Sequence, residues 1–365
     1  MISLFTGIQQ HPADKDGPAP QGWPIGSRVS SDRVLGIGIL GTGHISTQFA
    51  LALHESESRT VRIAAVASRD RARAAALAQR CGAQHSYADY GAMLADNNVE
   101  AVYIGLPNSL HAEWAERAAA AGRHVLCEKP LAPSLAEVKR MAEASERHEV
   151  LLIEAFPYQF QPQTLEMCRL IAAGEIGTVR VLQATTGFPL PPADNIRLRL
   201  ELGGGALLDV GCYCVSLARL VFARQPRHVR AQRTIGPGGV DLTTAVMLDY
   251  EDGAYAQLAC SMATAPHRNA FLIGSSGSLQ TSFSNHTVPE SAVLQIKRGA
   301  AWDAKIQTLN VPAGNGFVLE AEAFARAVVS EDLDARTTWH RLNVENAATL
   351  EAIVESMHTG QPVAV

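Results

Sequence analysis

The chain lacks any surplus of positive charge: 31 Lys and Arg stand against 36 Asp and Glu, a formal net charge of −5. A nucleic-acid binder shows a basic stripe or patch, so that class of partner is not expected. No apolar run reaches the roughly 18–20 residues of a membrane span. The opening MISLFTGIQQHPADKD has neither a basic start nor a long apolar core, so no secretory signal is read. Cysteines number 6 and have no framework spacing, which argues against a disulfide scaffold and fits a reducing cytoplasm. No His/Cys/carboxylate spacing suggests a metal, and no internal repeat or low-complexity tract stands out.

What is there belongs to a globular protein of two domains: 365 residues, 47% of them hydrophobic. Residues 1–33 hold Pro12, Pro18, Pro20 and Pro24 among polar residues and suit an extended or flexible arm. From Val34 the runs VLGIGIL, VRIAAVAS, AVYIGLP, HVLCEKP and VLLIEAF are nearly continuous in apolar residues, as in strands buried on both faces. Helix-like segments lie between them. Gly82 and Gly122 sit where a helix-ending glycine belongs, and Ser134 with Glu137 forms a capping-box pattern. Alternation of this kind predicts right-handed βαβ units and a doubly wound parallel sheet over residues 34–154. Beyond residue 155, strands follow one another without crossover helices, for example DLTTAVMLDYEDGAYAQLACSM around a Glu-Asp-Gly turn. The fold class is therefore α/β: a Rossmann domain, then an α+β domain over 155–365 with a mostly antiparallel sheet.

The first strand runs into Gly41-Thr42-Gly43-His44-Ile45-Ser46, a G-x-G-x-x-S sequence at the first strand-to-helix turn. Gly41 suits the tight turn, Gly43 lets backbone approach a pyrophosphate, and Ser46 is small enough for close helix–strand packing. The helix that follows offers free N–H groups to the phosphates. The second strand ends in Ser68-Arg69-Asp70, where an NAD site carries an acid for the ribose 2′-hydroxyl. Ser68 and Arg69 there favour NADP over NAD, because a guanidinium suits a 2′-phosphate. Asp70 is expected to cap the next helix.

Together G-T-G-x-x-S, the tripeptide Glu128-Lys129-Pro130 and the later G-G-G-A-L-L-D-V-G-x-Y resemble the Gfo/Idh/MocA oxidoreductases, over nearly the whole chain from Val34 onward. The G-C-Y version of the last motif is nearest the branch of dimeric dihydrodiol dehydrogenases and NADP-dependent D-xylose dehydrogenases. The resemblance implies an open C-terminal sheet used for homo-oligomerisation, as a dimer or tetramer. It implies hydride transfer between a nicotinamide and a small sugar, cyclitol or diol. It matches Lys129 to the family's catalytic lysine, Tyr213 to its proton-transferring residue and Asp209 to the acid one helical turn earlier. Leu106, Pro107, Asn108 and His111 match the loop beside the cofactor, and Arg197 matches a substrate-side arginine. Gln159 departs from an arginine common among near relatives and removes a fixed charge near the crevice.

The expected chemistry is oxidation of an aldose C1 hydroxyl. Tyr213 accepts the proton, Lys129 orients the substrate and together with the cationic nicotinamide lowers the tyrosine pKa, and Asp209 positions the substrate; the sequence leaves open an exchange of roles between Lys129 and Tyr213 as immediate proton acceptor. Two other readings stand beside it: a glucose–fructose-oxidoreductase-like transhydrogenase with tightly held cofactor, and a non-catalytic NADP sensor. His44 is read as part of the phosphate loop, and His267 and Arg268 as rim residues. Cys81, Cys127, Cys168 and Cys260 are read as small buried apolar residues. In LGGGALLDVGCYC, residues 202–214, the glycines open a substrate-side helix whose Cys212 and Cys214 serve packing.

Overall fold

The computed structural model describes residues 33–56, 58–189, 194–283, 292–312, 314–330 and 333–365; residues 1–32 of the expected arm lie outside them. Strands and helices alternate through β1 (Leu35–Leu40), α1 (His44–Ser56), β2 (Val61–Ala67), α2 (Arg71–Arg80), β3 (His85–Tyr87), α3 (Tyr90–Leu94) and β4 (Ala101–Ile104). The series goes on with α4 (His111–Ala120), β5 (His124–Glu128), α5 (Leu135–Arg147) and β6 (Leu152–Ala155). These six strands form one parallel sheet in the order β3-β2-β1-β4-β5-β6. Every residue of β1, β4 and β6 is buried, which is why their sequences read as unbroken apolar runs. The expected punctuation is present. Gly82 and Gly122 adopt φ of 69° and 71°, and Ser134 and Glu137 exchange both bonds of a capping box.

After α6 (Pro162–Ala172) come β7 (Val179–Pro189), α7 (Cys212–Phe222), β8 (His228–Ile235), β9 (Asp241–Asp249), β10 (Tyr255–Ser261) and β11 (Ala263–Gly274). Then follow β12 (Gly277–Thr281), β13 (Ala292–Arg298), β14 (Ile306–Val311), α8 (Gly316–Val329), α9 (Leu333–Thr359) and β15 (Val363–Ala364). The second sheet runs β14-β13-β12-β11-β7-β10-β9-β8-β15. It is antiparallel except between β7 and β10, so it is mixed. The two strands joined by the Glu-Asp-Gly turn pair as β9 and β10.

Two features depart from the plain sequence pattern. Leu200–Phe222 is long and apolar enough to cross a membrane, yet 78% of its most apolar stretch is buried inside the protein, so it serves as core. α8 closes over the first sheet although it comes near the end of the chain. Phe317 meets Phe49 edge-on at 5.8 Å, and Phe49 stacks on Tyr103 at 3.8 Å.

The glycine run in front of α7 is required by close approach. Gly203 has φ of 75°, and a Cβ there would lie 2.9 Å from the Cβ of Asn108. A Cβ on Gly205 would strike the carboxylate of Asp241. That carboxylate accepts the Leu207 N–H at 2.8 Å and the Thr244 hydroxyl at 2.6 Å. Asp241 therefore fixes the start of the helix carrying Asp209 and Tyr213. Asp241→Ala leaves the buried Leu207 N–H unsatisfied and should cost about 1–3 kcal/mol, read as a lowered urea midpoint at unchanged slope. A variant as stable as the native chain would remove this role from Asp241.

Candidate active site

The strand order reverses between β1 and β4, which places a ligand crevice at the carboxyl ends of the first sheet. Gly41 turns there with φ of 92°, and a Cβ on it would lie 2.8 Å from Leu106 Cδ2. Around Gly43 the space is open, with the Gly105 carbonyl 3.7 Å from an added Cβ. Ser46 is fully buried and donates to the Gly105 carbonyl at 3.2 Å, which brings α1 close against the end of β4. His44 is exposed at the helix start, where free N–H groups face the crevice end. This cradle fits a dinucleotide pyrophosphate.

At the end of β2, Ser68 is buried and accepts from Thr42 Oγ1 at 3.3 Å, while Arg69 is exposed. Asp70 caps α2, accepting the N–H groups of Ala72 and Arg73 at 2.9 and 3.1 Å. Arg73, which the sequence reading passed over, donates to the Thr42 carbonyl at 2.8 Å and so lies against the glycine loop. One helical turn of offset from the Asp70 cap brings this cation to the loop. That offset was the available signal.

The β5 end carries Glu128-Lys129-Pro130, with a cis Lys129–Pro130 peptide. Buried Glu128 accepts the Tyr103 hydroxyl at 2.5 Å and the Lys129 N–H at 3.2 Å. His111 is fully buried. Its Nδ1 is 3.0 Å from the Pro130 carbonyl and its Nε2 is 2.9 Å from that of Leu106, so it ties the two loops beside the crevice. Burial pushes its pKa down, and a neutral ring has one N–H to share between them. Asn108 donates to the Gly203 carbonyl at 2.8 Å, joining the Pro107-Asn108 loop to the glycine run.

Lys129 reaches the second half of the chain. Its ammonium donates to the Asp209 carbonyl at 2.6 Å and to Asp209 Oδ1 at 3.2 Å; Arg197 Nε donates to Oδ2 at 2.6 Å. Asp209 is thus clamped between two cations rather than open to substrate, and they hold its pKa low despite burial. It lies in a π-helical turn, Leu207–Gly211, that leads into α7. The Lys129 ammonium also sits 5.1 Å from the Tyr213 ring centre. A cavity of about 340 Å³ collects Ile45, Leu106, Asn108, Glu128 and Lys129 on one side and Arg197, Asp209, Tyr213 and Arg268 on the other. The remaining predicted cofactor residues lie outside that lining: Gly41, Thr42, Gly43 and His44 along the glycine loop, Ser68 and Arg69 at the end of β2, and Pro107 and His111 between β4 and α4.

Two expectations are corrected. Burial dominates at Tyr213 and pushes its pKa up to about 12; Lys129 and Arg268 pull it down without offsetting that desolvation. Gln159 does not line this cavity. It is buried and donates to Ser216 Oγ at 2.7 Å, so in this chain it is an interior hydrogen-bonding group and not a cavity-lining one. Among the described residues no group of three His, Cys, Asp or Glu is placed to hold a metal.

A dinucleotide cradle at a Rossmann switch point, opening onto a lysine, a tyrosine and a clamped carboxylate, defines a two-domain nicotinamide-dependent oxidoreductase. Residues 35–156 match the oxidoreductase family with NAD-binding Rossmann fold, and residues 164–280 match the GFO/IDH/MocA C-terminal domain. D-xylose 1-dehydrogenase (NADP(+)) 2 of Haloferax volcanii is 37% identical over 328 residues, covering 89% of this chain and 98% of that one. Trans-1,2-dihydrobenzene-1,2-diol dehydrogenase of Xenopus laevis is 33% identical over 289 residues, 78% of this chain and 86% of that one. The crystal structure of KijD10, a 3-ketoreductase from Actinomadura kijaniata in complex with NADP and TDP-benzene, superposes with a TM-score of 0.81. It is 30% identical, covering 89% of this chain and 98% of that one. The chain belongs to the Gfo/Idh/MocA oxidoreductase family and is an NAD(P)-dependent dehydrogenase.

The segment after Lys129 is held by a titrating group. Glu154 accepts the Leu131 N–H and the Asn346 amide, each at 3.0 Å, and burial pushes its pKa up to about 7. A carboxyl that is protonated when folded and ionised when unfolded stabilises the fold at low pH. That contribution falls as pH rises from about 4.3 to the folded value near 7, by roughly 3 kcal/mol. Glu154→Gln keeps an acceptor for Leu131 without titrating. The native-minus-variant difference in urea midpoint should therefore shrink from pH 5 to pH 8, and a constant difference would contradict the buried acid.

Proposed function

We propose that this protein is a cytoplasmic, homo-oligomeric NADP-dependent sugar dehydrogenase that oxidises an aldose at C1 to its lactone. The observation that carries the reading is the Lys129 ammonium, fixed by the carbonyl and carboxylate of Asp209 in a cavity shared with Tyr213. NADP is preferred to NAD because no free acid ends β2: Asp70 is engaged as a helix cap, Ser68 and Arg73 contact Thr42 of the glycine loop, and Arg69 is exposed at the strand end. The relatives named for NADP, or crystallised with it, support this choice. The cofactor, when bound, supplies the acceptor for the hydride that leaves C1.

The chain's own residues do the rest. Two donor contacts of Lys129 are taken by Asp209, which leaves its third N–H for the C1 oxygen. Burial alone would lower the Lys129 pKa, but Asp209 beside it raises it above the ordinary lysine value, so it stays a cation and stabilises that oxygen without acting as base. As the C1–H bond breaks, the hydroxyl proton leaves for the Tyr213 oxygen. With its pKa pushed up to about 12, Tyr213 is a phenol at neutral pH. Oxidation therefore draws on a small phenolate fraction, whereas carbonyl reduction finds its proton donor ready. That favours sugar-ketone reduction as a second reading.

Two measurements test the assignment. Lys129→Met should lower kcat for aldose oxidation roughly 10³-fold while NADP+ binding, followed by fluorescence titration, is kept. Full activity in that variant would remove the mechanism. Separately, kcat/KM for oxidation should rise with pH from 6 to 10 without a neutral plateau, and Tyr213→Phe should abolish the rise.

A further inference from the structure

Arg268 is the cation of the cavity that nothing above employs. It stands on β11 beside Thr186 of β7, with its guanidinium 4.6 Å from the Tyr213 ring centre and 5.7 Å from that of Phe283. Its neighbours in the cavity are already balanced: Asp209 is shared by Lys129 and Arg197, and Glu128 is turned to Tyr103 and the Lys129 backbone. Among the described residues Arg268 forms no ion pair and no side-chain hydrogen bond. Its partners are two aromatic rings.

A guanidinium held on ring faces keeps its N–H edge available, since cation–π attraction uses the plane of the group and hydrogen bonding uses its rim. Two rings restrict the side chain before anything binds, so little rotamer freedom is lost when the fork is filled. The edge of an arginine matches a carboxylate or a phosphate with two parallel N–H bonds. The cavity is half-enclosed and carries three cations against one ion-paired carboxylate and one deeply buried acid, so an occupant that restores balance is an anion.

We infer that Arg268 is an anion-recognising subsite and that the preferred sugar bears a carboxylate or phosphate group away from its reacting carbon. This rests on the reading of the cavity as a site of sugar oxidation. Arg268 selects among sugars, while Lys129 and Tyr213 act on the hydroxyl that all of them share.

The test measures kcat/KM with NADP+ for D-glucose, D-glucuronate and D-glucose 6-phosphate in the native enzyme and in Arg268→Met and Arg268→Lys. The native enzyme should favour one of the two anionic sugars over glucose by roughly 10- to 100-fold, the scale of a charge-assisted fork. The preferred anion identifies its source, carboxylate or phosphate. Arg268→Met should bring that ratio to near one, and Arg268→Lys should keep part of it. A ratio cancels any general loss of rate from disturbing Tyr213. Preference for glucose in the native enzyme, or an unchanged ratio in Arg268→Met, would overturn the subsite. If no sugar is oxidised, calorimetric titration of NADP+-loaded enzyme with D-gluconate and with inorganic phosphate decides. Saturable binding that weakens about tenfold in both variants retains the subsite and drops the sugar-oxidation reading; equal or absent binding in all three proteins rejects the subsite. Far-ultraviolet dichroism checks the fold, and Arg268→Lys is read alone should the methionine variant not fold.

Discussion

The ammonium of Lys129 against Asp209 is the contact on which the site depends. One partner ends a strand of the parallel sheet and the other lies in the helical turn in front of α7, 80 positions later in the chain. Both side chains are 13% exposed, so each charge has given up most of its water and needs the other. A buried pair of this kind adds little net stability, but removing one partner strands the other charge, which makes the pair a strong positioning device. Arg197 completes it from the outer side, leaving the lysine one orientation toward the cavity.

Behind that contact is a layer of acids that the chemistry does not touch directly. Glu128 is held by Tyr103, and Glu154 holds the segment after Lys129 while it is itself held by Asn346 of α9. Glu320 of α8 is fully buried beside the Phe156 backbone. Desolvation and the neighbouring Glu128 push its pKa well up. The last two long helices thus support a loop formed some 190 positions earlier. Proton affinity around Lys129 is set as much by burial as by charge, and the same burial keeps Tyr213 a phenol.

Local features were legible wherever their cause is local. Apolar runs such as LGIGIL announced buried strands, Ser134 with Glu137 announced a helix start, and Gly82 and Gly122 announced helix ends, because each rests on contacts within a few residues. The G-T-G loop could be placed because strand, turn and helix follow one another directly. The parallel pairing of β7 with β10 inside an otherwise antiparallel sheet was not legible, since it pairs segments about 75 positions apart. Nor was the packing of α8 on α1, which depends on Phe317 finding Phe49 across most of the chain.

The same division runs through the site. Lys129, Asp209 and Tyr213 could be named from E-K-P and from G-G-G-A-L-L-D-V-G-x-Y, and they do line one cavity. Arg268 could be named only as a rim residue, and Arg73 and Asp241 were passed over, because nothing beside them in the chain shows what they face. Gln159 looked like a change of charge at the crevice and proved to be an interior hydrogen-bonding group. The sequence by itself determined the strand–helix alternation, the glycine cradle and the residue types available for chemistry, since periodicity, caps and turns act over a few residues. Tertiary structure alone decided which charges meet and which protons stay. Those depend on desolvation and on distances across two sheets, and neither quantity exists until the chain is folded.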